Sequence, residues 1–459
     1  MREKIDCFVA CEHLPQIEPM LDELRQSKTV QHIFLLMAGA EEEMPQAPDG
    51  CQLIATDALH SSRTVQLVAA HTHADYALVV GKPSGVSFGL SALERLLRVA
   101  SDANAALLYA DHYTMEGGER KPHPVIDYQP GSLRDDFDFG AVILVDGQLI
   151  HRYAEQTEAG AWRYAGWYDL RLFLSRHGSI FHLGEYLYTE VETDLRASGE
   201  KQFDYVNPAN REVQIEMERA VTRHLDEIGA LIDTSAYISP DFDEQDFPVE
   251  ASVIIPVRNR VRTIADAVRS ALAQQTDFAY NVIVVDNFST DGTTELLQQL
   301  QQEQPEGMAD RLVHLIPTRD DLGIGGCWNL AVGDERCGRF AVQLDSDDLY
   351  SSEHTLQTIV NAFHEQHAAM VVGSYRMCDF QLQTLPPGLI AHREWTDANG
   401  PNNALRINGL GAPRAFFTPL LRQIQFPNTS YGEAYALGLI FSRRYSIGRI
   451  YDVLYLCRR

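Results

Sequence analysis

Residues 252–257 read SVIIPV, and residues 281–286 read NVIVVD. Each is a nearly continuous apolar run, which is typical of a strand buried on both faces of a sheet. The apolar residues Ile264, Val268 and Leu272 follow the first run at helical spacing. This alternation predicts an α/β fold with a mostly parallel sheet and helices on both faces.

The alternation continues along the second half of the chain. We expect a helix over residues 293–301, followed by strands over 312–316 and 340–344. In such sheets ligands bind beyond the carboxyl ends of the strands. Polar residues follow three of these strand ends: Arg258 and Asn259, then Asp286 and Asn287, then the sequence DSDD at 345–348.

The first half of the chain repeats this plan. DCFVAC at 6–11 corresponds in position to SVIIPV, and YALVV at 76–80 corresponds to residues 340–344. Residues 168–188 align with 435–455, with several identical residues. We therefore predict an internal duplication. The predicted boundaries are a first domain over 1–235, which an amphipathic helix within 211–232 closes, an acidic linker over 236–250 and a second domain over 251–459.

Charge and composition exclude several classes of protein. The 459 residues are 45% apolar and 22% charged, as in ordinary globular proteins, and the net charge is −26. Such an acidic surface repels nucleic acid and anionic lipid, so neither is an expected partner. No apolar run is long enough for a membrane span. The first residues lack the apolar core of a secretory signal, and the seven cysteines are scattered, so we expect reduced thiols in a cytoplasmic protein.

The acidic sequence DSDD is the strongest candidate for a metal site. Asp345 and Asp347 are two residues apart at a strand end, and their hard oxygen atoms suit Mg²⁺ or Mn²⁺. Acidic loops are often merely solvated. However, residues 251–459 contain no lysine, so a phosphorylated ligand there would need arginine, backbone amides or a metal to balance its charge.

A carboxylate and an amide follow the second strand. Asp286 and Asn287 have the hydrogen-bonding groups needed to read the edge of a nucleotide base, and we prefer this role for Asp286. For the polar residues at 289–291 we prefer helix capping.

Together these segments resemble glycosyltransferase family 2, whose members have the GT-A fold. The resemblance rests on IIPVRNR (254–260), VVDNFSTDGT (284–293), GIGGCWNLA (323–331), LDSDD (344–348) and SYGEAYALGLIFSRR (430–444). It implies inverting, metal-dependent transfer of a sugar from a nucleotide diphosphate to an acceptor hydroxyl. The expected donor is a nucleotide sugar, and a UDP-sugar is favoured. The expected acceptor is a glycan or a lipid-linked sugar, as in polysaccharide biosynthesis. Self-association into a homo-oligomer stays open.

The resemblance also assigns roles to single residues. Pro256, Arg258, Asp286 and Asn287 would line the nucleotide pocket. Asp345 would approach the ribose and the metal, and Asp347 would hold the metal on the diphosphate. Arg406 or Arg414 would assist from the Gly-rich segment 406–414, which is either a flap over the donor or an ordinary surface loop.

One departure from the family affects catalysis. The family has a Glu-Asp pair near the C-terminus, whose Asp deprotonates the acceptor, and here the pair reads Glu433-Ala434. Because a positioned base is worth about 10²–10⁴ in rate, the loss matters. Either Glu433 acts as the base, another carboxylate such as Asp379 replaces it, or the domain is a pseudo-glycosyltransferase that binds nucleotide or glycan without efficient turnover. A sugar nucleotidyltransferase would need a Gly-rich loop with lysines, which this domain lacks.

The first domain departs further. It has Gly81 and Lys82 near the position of the DSDD acids, and Gly166 and Trp167 at the position of Glu433 and Ala434. We interpret it as a GT-A-like domain without a donor site, which binds glycan, dimerises or supports the second domain. Two local features have alternative interpretations. The aromatic residues at 162, 164, 167 and 168 form either a sugar-stacking face or, as we prefer, a packed cluster. The acidic residues at 135–138 form either a turn, which we prefer, or an acidic pocket.

Overall fold

The computed structural model describes residues 4–40, 42, 44–158, 160–191, 210–305, 309–393, 395, 400–407 and 409–459. The chain divides into a first unit, Met1–Arg196 with Ala209–Leu231, and a second unit that includes residues 232–459. The segment predicted as a linker packs within the second unit. There the Phe242 ring contacts Phe340, and the Tyr237 hydroxyl donates to the backbone oxygen of Ser442.

The first unit contains a nine-stranded sheet. Its strands are β1 (Ile5–Ala10), β2 (Val30–Ala38), β3 (Gln52–Thr56), β4 (Tyr76–Val80), β5 (Val86–Phe88), β6 (Ala105–Glu116), β7 (Glu119–His123), β8 (Val142–Asp146) and β9 (Ser179–Val191). Its helices are α1 (Leu14–Gln26), α2 (Ser62–His71), α3 (Ala92–Ala103), α4 (Gly147–Gln156), α5 (Gly166–His177) and α6 (Arg211–Glu227). The strand order is β3-β2-β1-β4-β8-β6-β9-β5, and β7 pairs with β6.

The second unit contains another nine-stranded sheet. Its strands are β10 (Ala251–Val257), β11 (Tyr280–Asp286), β12 (Leu312–Leu315), β13 (Phe340–Gln343), β14 (Leu349–Tyr350), β15 (Met370–Cys378), β16 (Thr384–Ile390), β17 (Arg414–Phe417) and β18 (Ile447–Arg458). Its helices are α7 (Ile264–Leu272), α8 (Thr293–Gln302), α9 (Ile324–Gly333), α10 (Thr355–Gln366), α11 (Gly400–Asn403), α12 (Thr418–Ile424) and α13 (Glu433–Arg444). The strand order is β12-β11-β10-β13-β17-β15-β18-β14, and β16 pairs with β15.

The two sheets follow one plan. Their strand orders correspond strand by strand, and the register agrees as well, since Ile5 pairs with Tyr76 just as Ala251 pairs with Phe340. The predicted α/β class with two tandem domains is confirmed. Each sheet is more mixed than the sequence predicts. In the second unit the strands β12, β11, β10 and β13 are parallel, whereas β17 runs antiparallel between β13 and β15.

The core of the second unit lies on both faces of its sheet. In β10, Val253 and Ile255 belong to one apolar cluster, whereas Ile254 belongs to the other. This alternation follows from the period of two in a strand. The helices α7, α8 and α10 cover the first face, and α9 and α13 cover the second, as predicted. No helix in the described part of the chain has both the length and the apolar character that crossing a bilayer requires.

Helix α9 fixes the loop that precedes α13. The Gly325 N–H donates to the Thr429 oxygen at 3.0 Å, and the Gly323 N–H donates to the Asn428 side chain at 2.8 Å. A Cβ at Gly325 would lie 2.0 Å from the backbone oxygen of Pro427. Gly323 and Gly325 are therefore required because the two backbones touch, and their contact holds the loop that precedes α13.

We predict that Gly325→Ala lowers the melting temperature of the second unit by about 4–8 °C, which corresponds to about 2 kcal/mol of lost stability. The reason is that the loop at Pro427 must move to admit the new methyl group. Gly333→Ala in the same helix is the matched control, because a Cβ there meets nothing within 4 Å. Differential scanning calorimetry of both variants measures the effect. An equal response of the two variants would contradict the proposed contact.

Candidate functional site

A cavity of about 440 Å³ opens beyond the carboxyl ends of β10 and β13 in the second unit. Five of the residues predicted from the sequence line it, namely Pro256, Asp345, Asp347, Arg414 and Glu433. They come from four separate parts of the chain: the end of β10, the loop after β13, the start of β17 and the start of α13. The fold thus brings the carboxylates and the arginine of the predicted site into one cavity.

Asp345 is held from two sides. Its Oδ1 accepts a hydrogen bond from Gln343 Nε2 at 2.9 Å, and its backbone N–H donates to the Tyr455 hydroxyl at 2.9 Å. Burial raises the pKa of the Asp345 carboxyl, although the hydrogen bond from Gln343 and the charge of Arg414 oppose this shift. A carboxylate buried in this way favours a nearby positive charge.

Gln343 is a site residue that the sequence analysis missed. Its Oε1 accepts from Arg414 Nη1 at 3.1 Å and from the Arg414 backbone N–H at 3.2 Å, while its Nε2 donates to Asp345. The amide therefore fixes the arginine and the carboxylate relative to each other. The sequence does contain a signal for Gln343, since it is a polar residue at the end of an otherwise apolar strand, β13.

Asp347 faces the cavity beside an arginine. Its side chain is 36% exposed, and its Oδ2 lies 3.6 Å from Arg260 Nε. Arg258, the arginine predicted from the sequence, is exposed and is not among the lining residues, whereas Arg260 lines the cavity. Asn259 between them adopts a left-handed conformation with φ 54°, so the chain turns sharply between the two arginines.

Asp348 has a different environment from Asp347. It is buried, and its Oδ1 accepts from the Arg458 backbone N–H at 2.7 Å. Burial, together with the charge of Asp345, raises the pKa of Asp348 to about 7. Asp348 therefore anchors the acidic loop to β18, and it lines the cavity together with Asp345 and Asp347.

Glu433 begins helix α13 and has an unused oxygen atom. Its Oε2 is buried and has no hydrogen-bond partner among the described residues. The N-terminus of a helix stabilises a negative charge, which suits a carboxylate at this position. Ala434 lines the cavity next to it.

Asp286 and Asn287 do not line this cavity. Asp286 is fully buried, and its carboxylate accepts from the Ser289 N–H at 3.1 Å and from the Thr294 hydroxyl at 2.5 Å. Burial acts to raise its pKa, but the interactions with His314, Ser289 and Thr294 outweigh it and lower the pKa to about 2. In this structure Asp286 therefore holds its own loop, and its predicted contact with a base stays a prediction.

Asn287 is also engaged within the protein. Its Nδ2 donates to the Leu322 oxygen at 2.8 Å, whereas its Oδ1 is buried without a hydrogen-bond partner among the described residues. The Asn287 Oδ1 atom, directly after β11, is thus a hydrogen-bond acceptor for which the described residues provide no donor.

Two further residues predicted from the sequence lie away from the cavity. Arg406 is buried, and its Nε donates to Asn403 Oδ1 at 2.6 Å, so only Arg414 of the two arginines is a lining residue. Asp379 accepts from the N–H groups of Gln381 and Gln383 in the turn before β16. In the segment 406–414, Asn408 lies outside the described residues, and Gly411 and Ala412 line the cavity.

The donor set of the cavity is compatible with Mg²⁺ or Mn²⁺. Among the described residues no group of three or more His, Cys, Asp or Glu side chains is arranged to hold a metal ion. Mg²⁺ does not require such a group, since proteins commonly bind it through one or two carboxylates together with water and substrate phosphates. The carboxylates of Asp345 and Asp347 meet that requirement.

Comparison with protein families agrees with this geometry. Residues 252–420 match the model of glycosyl transferase family 2. These residues form a glycosyl transferase family 2 domain. The match begins with β10 and ends within α12, so it includes the acidic loop and Arg414 of the cavity, whereas Glu433 lies beyond it.

Two curated relatives are glycosyltransferases by name. An uncharacterized glycosyltransferase of Nostoc sp. is 29% identical over 137 residues, which are 30% of this chain and 40% of the relative. The putative teichuronic acid biosynthesis glycosyltransferase TuaG of Bacillus subtilis is 33% identical over 102 residues, which are 22% of this chain and 37% of the relative. The matched part therefore spans less than half the length of either relative.

Solved structures similar to the chain include two with bound nucleotide sugars. Residues 1–349 of S. aureus TarS in complex with UDP-GlcNAc give a TM-score of 0.36 at 20% identity, covering 46% of this chain and 58% of that one. The mannosyltransferase PcManGT of Pyrobaculum calidifontis, with GDP-Man and Mn²⁺, gives a TM-score of 0.35 at 19% identity, covering 56% and 68%.

We predict that Asp286→Asn destabilises the second unit by about 1–3 kcal/mol at pH 7, because the ionised carboxylate is the better acceptor for Ser289 and Thr294. The folded-state pKa of about 2 lies below the ordinary value, so this stabilisation is present above the unfolded-state pKa of about 3.9 and is lost as pH falls toward 2.

Urea unfolding from pH 7 to pH 3 measures this effect. We expect the difference between wild type and Asp286→Asn to shrink below about pH 5. Asp277→Asn, at an exposed position, is the control and is expected to be neutral. A difference that stays constant with pH would show that the carboxylate charge is not responsible.

Proposed function

We propose that the family 2 domain is an inverting, metal-dependent glycosyltransferase that moves a sugar from a nucleotide-diphosphate donor to an acceptor hydroxyl. Among possible donors we favour a UDP-sugar. The observation that carries the proposal is the convergence of Asp345, Asp347 and Glu433 in one cavity of a family 2 domain. These groups have the chemistry required on the two sides of a glycosyl transfer.

On the donor side, charge on the diphosphate must be balanced in a domain without lysine. Asp347 and Asp345 would hold Mg²⁺ or Mn²⁺, which stabilises the negative charge that develops on the leaving diphosphate. Arg260, 3.6 Å from Asp347, and Arg414, oriented by Gln343, place two further positive charges at the cavity. The charged groups are fixed before the donor binds, which favours stabilisation of the transition state.

On the acceptor side, Glu433 is the candidate general base. Its free Oε2 would accept the proton of the acceptor hydroxyl while that oxygen forms a bond to the anomeric carbon. The bond between this carbon and the diphosphate oxygen breaks on the opposite face, which inverts the configuration. The name of the TuaG relative supports a glycan or a lipid-linked sugar as acceptor. The free thiols of the described chain support a cytoplasmic location.

A pseudo-glycosyltransferase is the second candidate. Ala434 lines the cavity at the position where the family has its catalytic Asp, and a methyl group accepts no proton. In that case the domain would bind nucleotide or glycan without efficient turnover.

We predict that the protein binds UDP in a metal-dependent manner at the cavity of the second unit. Calorimetric titration of UDP with Mn²⁺ should give a measurable Kd. Asp347→Asn, or an excess of chelator, should weaken binding at least tenfold, because the link between carboxylate and diphosphate is lost. Asp277→Asn is the control and should bind as wild type does. Equal binding of UDP with and without metal would contradict the proposed donor site. Titrations of GDP and dTDP test which nucleotide base the site prefers.

We predict opposite effects on turnover at the two positions that begin α13. Glu433→Gln should lower kcat by about 10²-fold or more while nucleotide binding is retained, because the amide accepts no proton at pH 7. Ala434→Asp should raise kcat, because it restores a carboxylate beside the acceptor. Kinetics with radiolabelled donor measure both effects. Unchanged turnover in both variants would contradict the placement of the base.

A further inference from the structure

The first unit has a cavity of about 580 Å³ at the carboxyl ends of β1 and β4. Because the two sheets share strand order and register, this location corresponds to that of the donor cavity in the second unit. The correspondence holds for individual lining residues: Ala10 takes the place of Pro256, Val79 of Gln343, Gly81 of Asp345, Gly140 of Gly411 and Trp167 of Ala434. The duplicated fold has thus kept the cavity and changed its chemistry.

The floor of this cavity lacks the polar clamp of the second unit. Val79 and Ile143 pair with each other across β4 and β8, and both line the cavity. They correspond to Gln343 and Arg414, so two aliphatic side chains replace the amide and the arginine. With Gly81 at the position of Asp345, the floor provides no carboxylate for a metal.

The nearby lysine is also engaged. Lys82 Nζ lies 2.9 Å from Glu190 Oε1, and His112 Nε2 lies 2.8 Å from the same oxygen. Glu190 is buried, so this ion pair compensates a charge inside the first unit. Lys82, His112 and Glu190 are not lining residues, so this lysine is not available to a diphosphate in the cavity.

The wall of the cavity is aromatic and fixed in position. Trp167, Phe137 and Phe139 line it. The Trp167 indole N–H donates to the Leu59 oxygen at 2.9 Å, and the Phe137 and Phe139 ring centroids are 4.6 Å apart. By contrast, the neighbouring Trp162 and Tyr168 are buried, so two of the four residues in the predicted aromatic cluster are packed, and Trp167 is the member that lines the cavity.

Two carboxylates stand at the rim. Asp136 is bound by Arg134 through two hydrogen bonds of 2.8 and 2.6 Å. Asp138 accepts from His123 at 2.8 Å and from the Gly140 N–H at 2.8 Å. Both side chains remain more than half exposed, so they keep lone pairs for a ligand. The cavity is therefore apolar at its floor and aromatic at its wall, and its rim has two hydrogen-bonded carboxylates.

We propose that this cavity binds an uncharged pyranose of a glycan, with the C–H face of the sugar against Trp167 and its hydroxyls donating to Asp136 and Asp138. Apolar surface with a few oriented polar groups is the usual composition of small-ligand sites. The lining residues include no lysine or arginine that could bind a phosphate, whereas Arg260 and Arg414 line the cavity of the second unit, and this difference separates the two sites. The proposal is independent of the function proposed above.

A glycan array probed with the full-length protein tests this inference. We expect wild type and Asp347→Asn to bind uncharged glycans equally, because Asp347 belongs to the other unit. Trp167→Ala should lose at least tenfold in affinity, and Trp167→Phe should recover part of it. Asp136→Asn, an exposed and conservative change, should lose about fivefold, and melting curves verify that each variant is folded.

Several outcomes would overturn the proposal. One is the absence of binding to any uncharged glycan on the array. Another is binding that persists in both Trp167→Ala and Asp136→Asn, and a third is binding that Asp347→Asn abolishes. Displacement of the glycan by millimolar UDP without metal would assign a nucleotide instead. If glycans bind as expected while UDP calorimetry fails, only the function proposed for the second unit is lost.

Discussion

The cavity of the second unit depends on the acidic loop at 345–348, which is held in place at the end of the buried strand β13. Carboxylates removed from water are costly unless hydrogen bonds or positive charges compensate them. Here Gln343 binds Asp345, the Tyr455 hydroxyl accepts from the Asp345 backbone, and the Arg458 backbone binds Asp348. These contacts leave Asp347 facing the cavity. Burial raises the pKa of Asp345 and of Asp348 because their charged forms are poorly solvated, so a cation bound at the loop would favour the ionised carboxylates.

The duplication shows what that loop contributes. The first unit keeps the strand order, the register and a cavity at the same strand ends, but it has Gly81 where the second unit has Asp345. In the first unit the lysine after this glycine pairs with the buried Glu190 of β9. One backbone plan thus supports two different cavities, and the difference lies in a few side chains at the ends of β4 and β13.

Much of the second unit follows from local sequence pattern. The apolar runs of β10 and β11 and the period of α7 predict those elements closely, because burial on both faces leaves a clear signal. The position of Asp345 and Asp347 follows from their place after β13. The contacts that orient them do not, because Arg414 is 71 residues from Gln343 and Tyr455 is 110 residues from Asp345. Arg258 was predicted and Arg260 lines the cavity, because the chain turns at one left-handed residue between them, Asn259, which sequence pattern does not reveal.

Anomalous diffraction from crystals of the full-length protein grown with UDP and Mn²⁺ would locate a metal ion at the acidic loop. We predict a manganese peak within coordinating distance, about 2–2.5 Å, of an Asp347 carboxylate oxygen, with the diphosphate on its other side. A manganese peak only at other residues, or UDP bound in the second unit with no metal at Asp347, would contradict it.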